Sequence, residues 1–280
     1  MPSPNAISTT QLARLIGLPD TPVIVDGRID DDHALDPRAL PGAIRKNLKA
    51  ASAWAFEFAG RRVVVVCQRG EKLSQGAAAW LRHEGVQAES LDGGFEAWAA
   101  AGGALVRPEM VPPRDDKGRT VWVTRSRPKV DRIACPWLIR RFVDRSAVFL
   151  FVAPSEVALV GDRFGATPFD IDGVFWSHRG ELCTFDVMIQ EFGLHGPALD
   201  RLALMVRGAD TGRPDLSPEA PGLLAASLGL SRMYADDIAQ LAAGLSLYDA
   251  FYRWARDAVD ETHNWPVGHV VSRPAKAGAA

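Results

Sequence analysis

The chain has 280 residues, of which 47% are hydrophobic and 24% are charged, as is typical of folded globular proteins and unlike disordered or fibrous chains. Its 32 basic and 34 acidic residues give a formal net charge of -2, which excludes a strong overall field for attracting nucleic acid or anionic lipid. Because domains commonly have about 100–150 residues, this length predicts two of them.

No stretch approaches the ~20 apolar residues of a membrane helix, and the N-terminus lacks the basic and apolar regions of a signal peptide. We therefore expect a cytoplasmic protein that does not bind membranes. Cys67, Cys135 and Cys183 are too few and too far apart to form a disulfide framework or a Cys-x-x-Cys zinc knuckle.

The first hundred or so residues alternate short apolar runs with amphipathic stretches. Residues 22–25 and 63–66 are β-branched runs bounded by turn residues, as in the buried strands of a parallel sheet. One helical pattern, at residues 9–16, precedes these runs, and two more, at residues 73–84 and 93–101, follow them. This alternation predicts an α/β domain, with a parallel sheet flanked by helices, over residues 1–106.

Residues 107–119 mix prolines with acidic and basic residues and show no apolar periodicity, so we place a linker there. Strands are predicted at residues 121–124 and 148–152. The long helical patterns of this second part cover residues 135–144, 183–192, 197–209, 218–228 and 234–260. We expect a mainly α-helical (α+β) domain over residues 120–265, followed by a flexible tail over residues 266–280.

Cys67 follows four consecutive valines and opens a short polar loop that leads into a helix. The amides of such a loop and of the first helical turn can hydrogen-bond a thiolate, a persulfide or an oxyanion. The cations of Arg69 and Lys72 favour the thiolate, and Gly70 lets the loop bend. A cysteine that ends a valine strand is often only a buried structural residue, but the polar loop and the helix after it indicate a nucleophile.

Four segments in order resemble the rhodanese family, over about residues 10–105. They are Val25-Asp26-Gly27-Arg28, Leu40-Pro41-Gly42-Ala43, Cys67 to Lys72, and Gly93-Gly94-Phe95-Glu96-Ala97-Trp98. They are similar, respectively, to the family's strand-end Asp-x-Arg, its Ile-Pro-Gly-Ala turn, its six-residue active loop and its closing Gly-Gly-aromatic segment. The chain departs from the pattern in having Ala39 and Leu40 where a histidine commonly precedes the Pro-Gly turn.

The rhodanese resemblance implies a sulfurtransferase with Cys67 as its catalytic nucleophile. The residues that would bind the substrate are Gln68, Arg69, Gly70, Glu71 and Lys72. The thiolate would take the outer sulfur of thiosulfate or a persulfide, and the resulting persulfide would pass that sulfur to an acceptor thiol. The expected partners are a small-molecule sulfur donor and a thiol acceptor, and no cofactor is needed.

Loop length separates sulfur transfer from oxyanion chemistry within the resemblance. Relatives that handle phosphate or arsenate have a seven-residue loop ending in arginine, whereas the seventh residue here is Leu73. The shorter loop suits a sulfur atom better than a tetrahedral oxyanion. We interpret Asp26 and Arg28 as a structural ion pair, because a strand-end Asp-x-Arg more often forms an internal salt bridge than a catalytic pair.

Residues 119–145 form a basic segment with eight basic and two acidic residues. Pro136 suits the first position of a helix, which would make Cys135 an N-cap with a partly ionised thiol. Arg141 falls on the apolar face of that helix and needs a partner, either an internal carboxylate or an oxyanion. Cys135 and Arg141 are therefore candidates for a second site, with a small buried core residue as the alternative for Cys135.

Residues 130–141 resemble the chromate-resistance ChrB family, and the resemblance extends over most of residues 120–260. It implies a role in oxyanion or redox stress, with an oxyanion as a candidate ligand. His178, Asp186 and Asp210 could supply nitrogen and oxygen ligands to a metal. Because the family pattern has a histidine where this chain has Arg207, we assign no metal.

The leading hypothesis is a cytoplasmic sulfurtransferase joined to a chromate-resistance domain. A chromate- or redox-responsive regulator, in which the rhodanese fold senses without turning over, is the alternative. A third hypothesis, an inactive scaffold, is disfavoured because Cys67 is retained in an intact loop. Nucleic acid is not an expected partner, since the sequence has no helix-turn-helix or zinc finger, although the basic segment leaves direct binding open.

Overall fold

The structure is a computed structural model that describes residues 5–262, so the predicted tail at residues 266–280 lies outside the described residues. The strands of its N-terminal half are β1 (Ala6–Ile7), β2 (Val23–Asp26), β3 (Ile44–Arg45), β4 (Arg62–Val66) and β5 (Gln87–Leu91). The helices are α1 (Thr9–Ala13), α2 (Asp30–Leu35), α3 (Ala51–Trp54), α4 (Lys72–His83) and α5 (Gly94–Ala100). All neighbouring strands pair in parallel, in the order β1-β5-β4-β2-β3.

Strand β4 divides its side chains between two apolar cores, because successive residues of a strand point to opposite faces of the sheet. Val63 and Val65 pack in a core with residues of α3 and α4. Val64 and Val66 belong to a second core on the other face, together with residues of α1 and α5. A strand covered on both faces requires an unbroken apolar run, which explains the four valines before Cys67.

The C-terminal half has a small parallel sheet and mostly helices, as the sequence predicts. Its strands are β6 (Val121–Arg125), β7 (Val148–Val152) and β8 (Thr167–Pro168), in the order β7-β6-β8. Its helices are α6 (Asp131–Leu138), α7 (Val157–Phe164), α8 (Thr184–Phe192), α9 (Pro197–Asp210), α10 (Ala220–Met233) and α11 (Asp237–Asp257). None of the helices within residues 5–262 combines the length and the apolar character needed to cross a membrane.

One hydrophobic core joins the two halves. It contains Leu12 and Trp98 from the N-terminal half and Phe142 and Tyr252 from the C-terminal half. At Gly17, an added Cβ would lie 2.6 Å from the Phe142 ring, so the chain of one half touches an aromatic side chain of the other. The two predicted domains are therefore not independent bodies.

Hydrogen bonds reinforce the contact between the halves. The Gly42 amide donates to the Phe142 carbonyl oxygen at 2.7 Å. The guanidinium of Arg145 donates to the carbonyl oxygens of Thr21 and Pro22, and that of Arg256 donates to the Ile16 carbonyl oxygen at 3.3 Å. These bonds satisfy buried and half-buried carbonyl groups, so breaking the contact would expose polar groups as well as apolar surface.

The segment at residues 107–119, where the sequence predicts a linker, is packed against the rest of the protein. Met110 and Val111 pack against the shared core, and the Arg107 amide donates to the Phe192 carbonyl oxygen at 3.0 Å. Proline and charge density predicted a loop but carried no information about the apolar contacts of Met110 and Val111. The exact domain boundaries at 106 and 120 remain a prediction.

Trypsin is expected to cut at the exposed Lys117 without separating the halves, because the shared core holds them together after the chain is nicked. The measurement compares denaturing gel electrophoresis with size-exclusion chromatography of the same nicked sample. We expect two bands on the gel and one peak at the volume of the intact chain. Two folded fragments that elute separately would contradict the shared core.

Candidate functional site

Cys67 lies at the carboxyl end of β4, directly before the loop that leads into the first turn of α4. Cys67 is 7% exposed. Its Sγ lies 3.1 Å from Ser74 Oγ and 3.7 Å from the Glu71 carbonyl oxygen. Ser74 is fully buried and also donates to the Glu71 carbonyl oxygen at 3.1 Å. The hydroxyl of Ser74 can thus turn from that carbonyl toward Sγ and stabilise a thiolate.

The turn that begins α5 packs against the Cys67 loop and is hydrogen-bonded to it. The Phe95 amide donates to the Cys67 carbonyl oxygen at 3.0 Å. Gly94, at φ +60°, approaches so closely that a Cβ there would lie 2.3 Å from both the Cys67 carbonyl oxygen and the Gly70 amide nitrogen. Gly70 itself has φ +71°. Two segments of the rhodanese resemblance, separated in sequence, therefore form one rigid unit around the sulfur.

Asp26 and Arg28 form an ion pair at the carboxyl end of β2, next to this loop. Their closest nitrogen and oxygen atoms are 2.6 Å apart, and both side chains are almost completely buried. The Arg28 guanidinium also donates to the carbonyl oxygen of Asp36 and lies 3.8 Å from the centre of the Phe95 ring. Arg28 thus packs against Phe95, whose amide donates to the Cys67 carbonyl oxygen. The hydrogen bonds of the Arg28 guanidinium hold it in this position.

The loop residues predicted to bind substrate differ in exposure. Arg69, Glu71 and Lys72 are exposed, Gln68 is half-buried and Gly70 is buried. Beside the loop, at the carboxyl ends of β2 and β3, is an open cleft of about 360 Å³. The residues that line this basic cleft are Gly27, Arg28, Ile29, Asp30, Arg45, Lys46, Asn47, Leu48, Lys49 and Leu73. Arg28, Arg45 and Lys46 are paired with Asp26, Asp30 and Glu57. Lys49 adds a further positive charge, which favours an anionic ligand.

Ser74 was not recognised in the sequence, because a serine in the first turn of a helix is common. Ser74→Ala is expected to slow the alkylation of Cys67 by iodoacetamide about tenfold at neutral pH, since a hydrogen bond to a charged group contributes about 1.5 kcal/mol. The measurement is the rate of adduct formation by mass spectrometry.

The matched control is Ser52→Ala, at an exposed position of α3, which should leave the alkylation rate unchanged. Equal rates for the wild type, Ser74→Ala and Ser52→Ala would show that the hydroxyl of Ser74 has no influence on the thiolate.

The expectation for Cys135 as an ionised N-cap is wrong. Helix α6 begins at Asp131, so Cys135 lies in its interior with Pro136 beside it. Cys135 is fully buried, and burial, followed by the negative charge of Asp131, raises the pKa of its thiol well above the ordinary value. Such a thiol is protonated and inaccessible, which removes the basis for a second reactive cysteine.

Arg141 has an internal partner. Its guanidinium forms a bidentate pair with the carboxylate of Asp249 in α11, at 2.7 and 2.8 Å. The same carboxylate accepts a hydrogen bond from the indole of Trp137 at 2.8 Å. Of the two partners that the sequence left open for Arg141, the structure therefore provides the internal carboxylate.

A cluster of three aspartates and one histidine lies where the C-terminal half brings distant segments together. The Nε2 atom of His178 lies 3.5 Å from an oxygen of Asp131, 3.5 Å from an oxygen of Asp170 and 3.1 Å from an oxygen of Asp210. The potential ligand atoms of Asp131, Asp170 and His178 all lie within 4.8 Å of one another. Asp131 and Asp170 were not recognised in the sequence as members of this group.

Burial and mutual repulsion raise the pKa values of Asp131 and Asp210 in this cluster. Burial of Asp131, which is inaccessible to solvent, raises its pKa above the usual range. Burial and the charge of Asp170 raise the pKa of Asp210. Hydrogen bonds to Asp131 and Asp170 raise the pKa of His178 to about 10. The arrangement holds a positive charge on or near the imidazole.

Two of the four cluster residues lie at or next to unusual backbone positions. Asp170 has φ +53°, and Val130, directly before Asp131, has φ +30°. Positive φ is tolerated by aspartate but is costly for a β-branched residue. The Val130 carbonyl oxygen accepts a hydrogen bond from the buried Tyr248 hydroxyl at 3.0 Å, which helps to hold the strained turn that places Asp131.

Asp186, a candidate metal ligand in the sequence, is engaged elsewhere. Both of its oxygens accept hydrogen bonds from the Arg207 guanidinium at 2.9 Å, and Cys183 Sγ donates to it at 3.2 Å. Burial, followed by the charge of Asp131, raises the pKa of the Cys183 thiol. Of the three candidates, His178 and Asp210 thus lie in the cluster, and Asp186 does not.

Comparison with protein families assigns both halves. The rhodanese-like domain model matches residues 8–101, and the model of the ChrB C-terminal domain matches residues 122–255. The chain therefore carries a rhodanese-like domain followed by a ChrB C-terminal domain. Protein ChrB of Cupriavidus metallidurans is 36% identical over 146 residues, which are 51% of this chain and 43% of that protein. The match thus spans less than half the length of that relative.

Several solved structures resemble about a third of the chain. A rhodanese-like domain protein from Staphylococcus aureus is 27% identical, covers 34% of this chain and 90% of its own, and has a TM-score of 0.30. A thiosulfate sulfurtransferase from Pseudomonas aeruginosa is 30% identical, covers 37% of this chain and 19% of its own, and has a TM-score of 0.32.

Proposed function

We propose that the chain is a sulfurtransferase that carries sulfane sulfur as a persulfide on Cys67. The observation that supports this most directly is the geometry of the Cys67 loop, in which Cys67 Sγ lies 3.1 Å from the buried Ser74 hydroxyl. A hydroxyl that can donate to sulfur stabilises both a thiolate and a persulfide anion. The glycine contacts hold this geometry without requiring a ligand.

The proposed reaction balances without a cofactor. The Cys67 thiolate attacks the outer sulfur of thiosulfate, a new sulfur–sulfur bond forms, and sulfite leaves with the electron pair of the broken bond. An acceptor thiolate then attacks the outer sulfur of the persulfide and restores the Cys67 thiolate. Cyanide can replace the thiol in an assay, and thiocyanate is then the product.

The basic cleft favours an anionic sulfur donor. Arg45 and Lys49 line this cleft, next to Leu73 in the first turn of α4. Arg45 is paired with the exposed Asp30 at 2.7 Å, a surface contact that contributes little stability and can yield to a ligand. Thiosulfate or a small persulfide anion matches this charge.

The ChrB C-terminal domain suggests a cellular role for the proposed sulfur transfer. We propose that the sulfur transfer belongs to a cytoplasmic response to oxyanion stress, chromate included, because reduced thiol acceptors are available in that compartment. The shared core ties the C-terminal half to the sheet that carries Cys67, so the two halves act as one body.

The test is the intact mass of the purified full chain after incubation with thiosulfate. The wild type should gain the mass of one sulfur atom, and peptide mapping should place that sulfur on Cys67. Subsequent addition of cyanide should remove the added mass and release thiocyanate. An unchanged mass after thiosulfate, and also after incubation with a small persulfide, would contradict the proposal.

The low exposure of Cys67 also favours a second candidate function, a regulator that senses sulfane sulfur or redox state without turning over. In that case the persulfide should form and then resist both cyanide and free thiols, because the acceptor cannot reach the outer sulfur. The same mass measurement, followed over time after removal of thiosulfate, separates the two functions by the lifetime of the persulfide.

A further inference from the structure

We propose that Asp131, Asp170, Asp210 and His178 form a binding site for a divalent transition metal ion in the C-terminal half. This site lies outside the Cys67 loop and is independent of sulfur transfer. Its four residues come from the start of α6, the loop after β8, the loop before α8, and the end of α9. Only the folded C-terminal half brings them together.

The distances from His178 Nε2 to the three aspartates fall in the range found between ligands of one ion, and the potential ligand atoms of Asp131, Asp170 and His178 lie within 4.8 Å of one another. A metal bound at 2.0–2.2 Å by nitrogen and oxygen atoms has ligand atoms that lie roughly 3–3.6 Å apart. The oxygens of Asp131, Asp170 and Asp210 lie 3.1–3.5 Å from His178 Nε2.

A buried oxygen of Asp131 has no partner in the described structure. The side chain of Asp131 is completely buried, and its Oδ1 atom is among the buried polar atoms without a hydrogen bond. Its other oxygen accepts the Thr184 amide at 2.6 Å and faces His178. A buried carboxylate oxygen without a donor is costly, and a cation bound beside it would remove that cost.

The carboxylates are oriented by groups that would not bind the ion. The Thr184 amide holds Asp131, and the Thr184 hydroxyl holds Asp170 Oδ1 at 2.9 Å. Asp170 Oδ2 contacts Arg132 at 3.3 Å and Arg125 at 3.4 Å. Metal ligands in proteins are commonly fixed in this way by outer hydrogen bonds.

The donor set selects the class of metal. Three carboxylates favour hard divalent ions, whereas the imidazole favours transition metals over Mg²⁺ and Ca²⁺. The neighbouring thiol of Cys183 is bound to Asp186, so the proposed set has no sulfur ligand to favour a soft ion. Mn²⁺, Fe²⁺ and Zn²⁺ fit this set. Access is through His178, whose side chain is 40% exposed.

The experiment titrates Mn²⁺ into the full chain after dialysis against a chelator, and it measures free Mn²⁺ by its electron paramagnetic resonance signal. We expect one saturable Mn²⁺ site per chain and displacement by Zn²⁺ but not by equal concentrations of Mg²⁺ or Ca²⁺. Asp131→Asn and His178→Ala should each lower the affinity at least about a hundredfold, since losing a ligand costs more than losing an outer partner.

Two control variants make the result specific. Asp172→Asn removes an exposed carboxylate two residues from Asp170 and should bind Mn²⁺ like the wild type. Cys67→Ser should also bind normally, which separates this site from the proposed sulfur transfer. Thermal unfolding verifies that each variant is folded. If Asp131→Asn fails to fold, His178→Ala still tests the site, because it alters only an exposed loop residue.

Three outcomes would overturn the proposal. They are the absence of saturable Mn²⁺ binding to the wild type, unchanged affinity in the folded His178→Ala variant, and equal displacement by Mg²⁺ and Zn²⁺. In the first two cases the cluster is an ion-pair network centred on a protonated imidazole. In the third case the assigned metal class is wrong.

Discussion

Cys67→Ser is expected to reduce sulfur transfer from thiosulfate to cyanide by at least about a thousandfold, because losing the group that forms a covalent intermediate removes most of the catalysis. A serine hydroxyl is not ionised at neutral pH and cannot form a persulfide. Serine is also close in size to cysteine and can keep a hydrogen bond with Ser74, so the loop should remain folded. The measurement is the rate of thiocyanate formation.

The control for Cys67→Ser is Cys135→Ala. Cys135 is fully buried in the shared core, and its removal leaves a small cavity without touching the Cys67 loop. Turnover should therefore stay near the wild-type rate. If Cys135→Ala abolishes turnover in a folded protein, or if Cys67→Ser retains most of it, sulfur does not travel through Cys67 alone.

Gly94→Ala is expected to destabilise the chain by at least about 3 kcal/mol, a size of effect tied to backbone strain combined with steric overlap. Its Cβ would lie 2.3 Å from the Cys67 carbonyl oxygen and from the Gly70 amide nitrogen, and neither backbone group can move without opening the loop. Persulfide formation should be lost with the geometry. Chemical denaturation gives the change in the free energy of unfolding.

Gly102→Ala separates overlap from backbone strain. Gly102, just beyond the other end of α5, has φ +70°, and a Cβ added there would meet only open space. Only the left-handed conformation is then penalised, at roughly 1–2 kcal/mol. Equal costs for Gly94→Ala and Gly102→Ala would mean that the close approach of the two segments does not constrain the loop.

The Cys67 loop could be predicted because its determinants are local. A valine run, a polar loop and an amphipathic helix in immediate succession indicate a strand, a turn and a helix, and Gly70 indicates a bend in the loop. Ser74 was missed because a serine in the first turn of a helix is common. Its meaning comes only from the direction in which its hydroxyl points.

The aspartate cluster could not be predicted from spacing. Asp131, Asp170, His178 and Asp210 are dispersed over about eighty residues, so no motif period links them. Cys135 was misread for a different reason. Proline commonly occupies the first turn of a helix, but α6 begins five residues before Pro136 and continues into a π-helical turn, Ile139–Val143.

The contact between the halves could not be predicted, because the sequence shows which residues are apolar but not which residues they contact. The apolar residues of α1 and α5 are consistent with a core that belongs to the N-terminal half alone. In the structure, Leu12 and Trp98 pack in the same core as Phe142. For the same reason, the composition of residues 107–119 did not indicate that Met110 and Val111 pack against this core.

The shared core has a consequence for how such a chain changes over generations. A substitution of Cys67 leaves Leu12, Ile16 and Trp98 in place, and they still pack in one core with Phe142 of the C-terminal half. Deleting the N-terminal half would instead expose that surface to chaperones and proteases. Selection for the C-terminal half would therefore preserve the N-terminal fold whether or not Cys67 reacts.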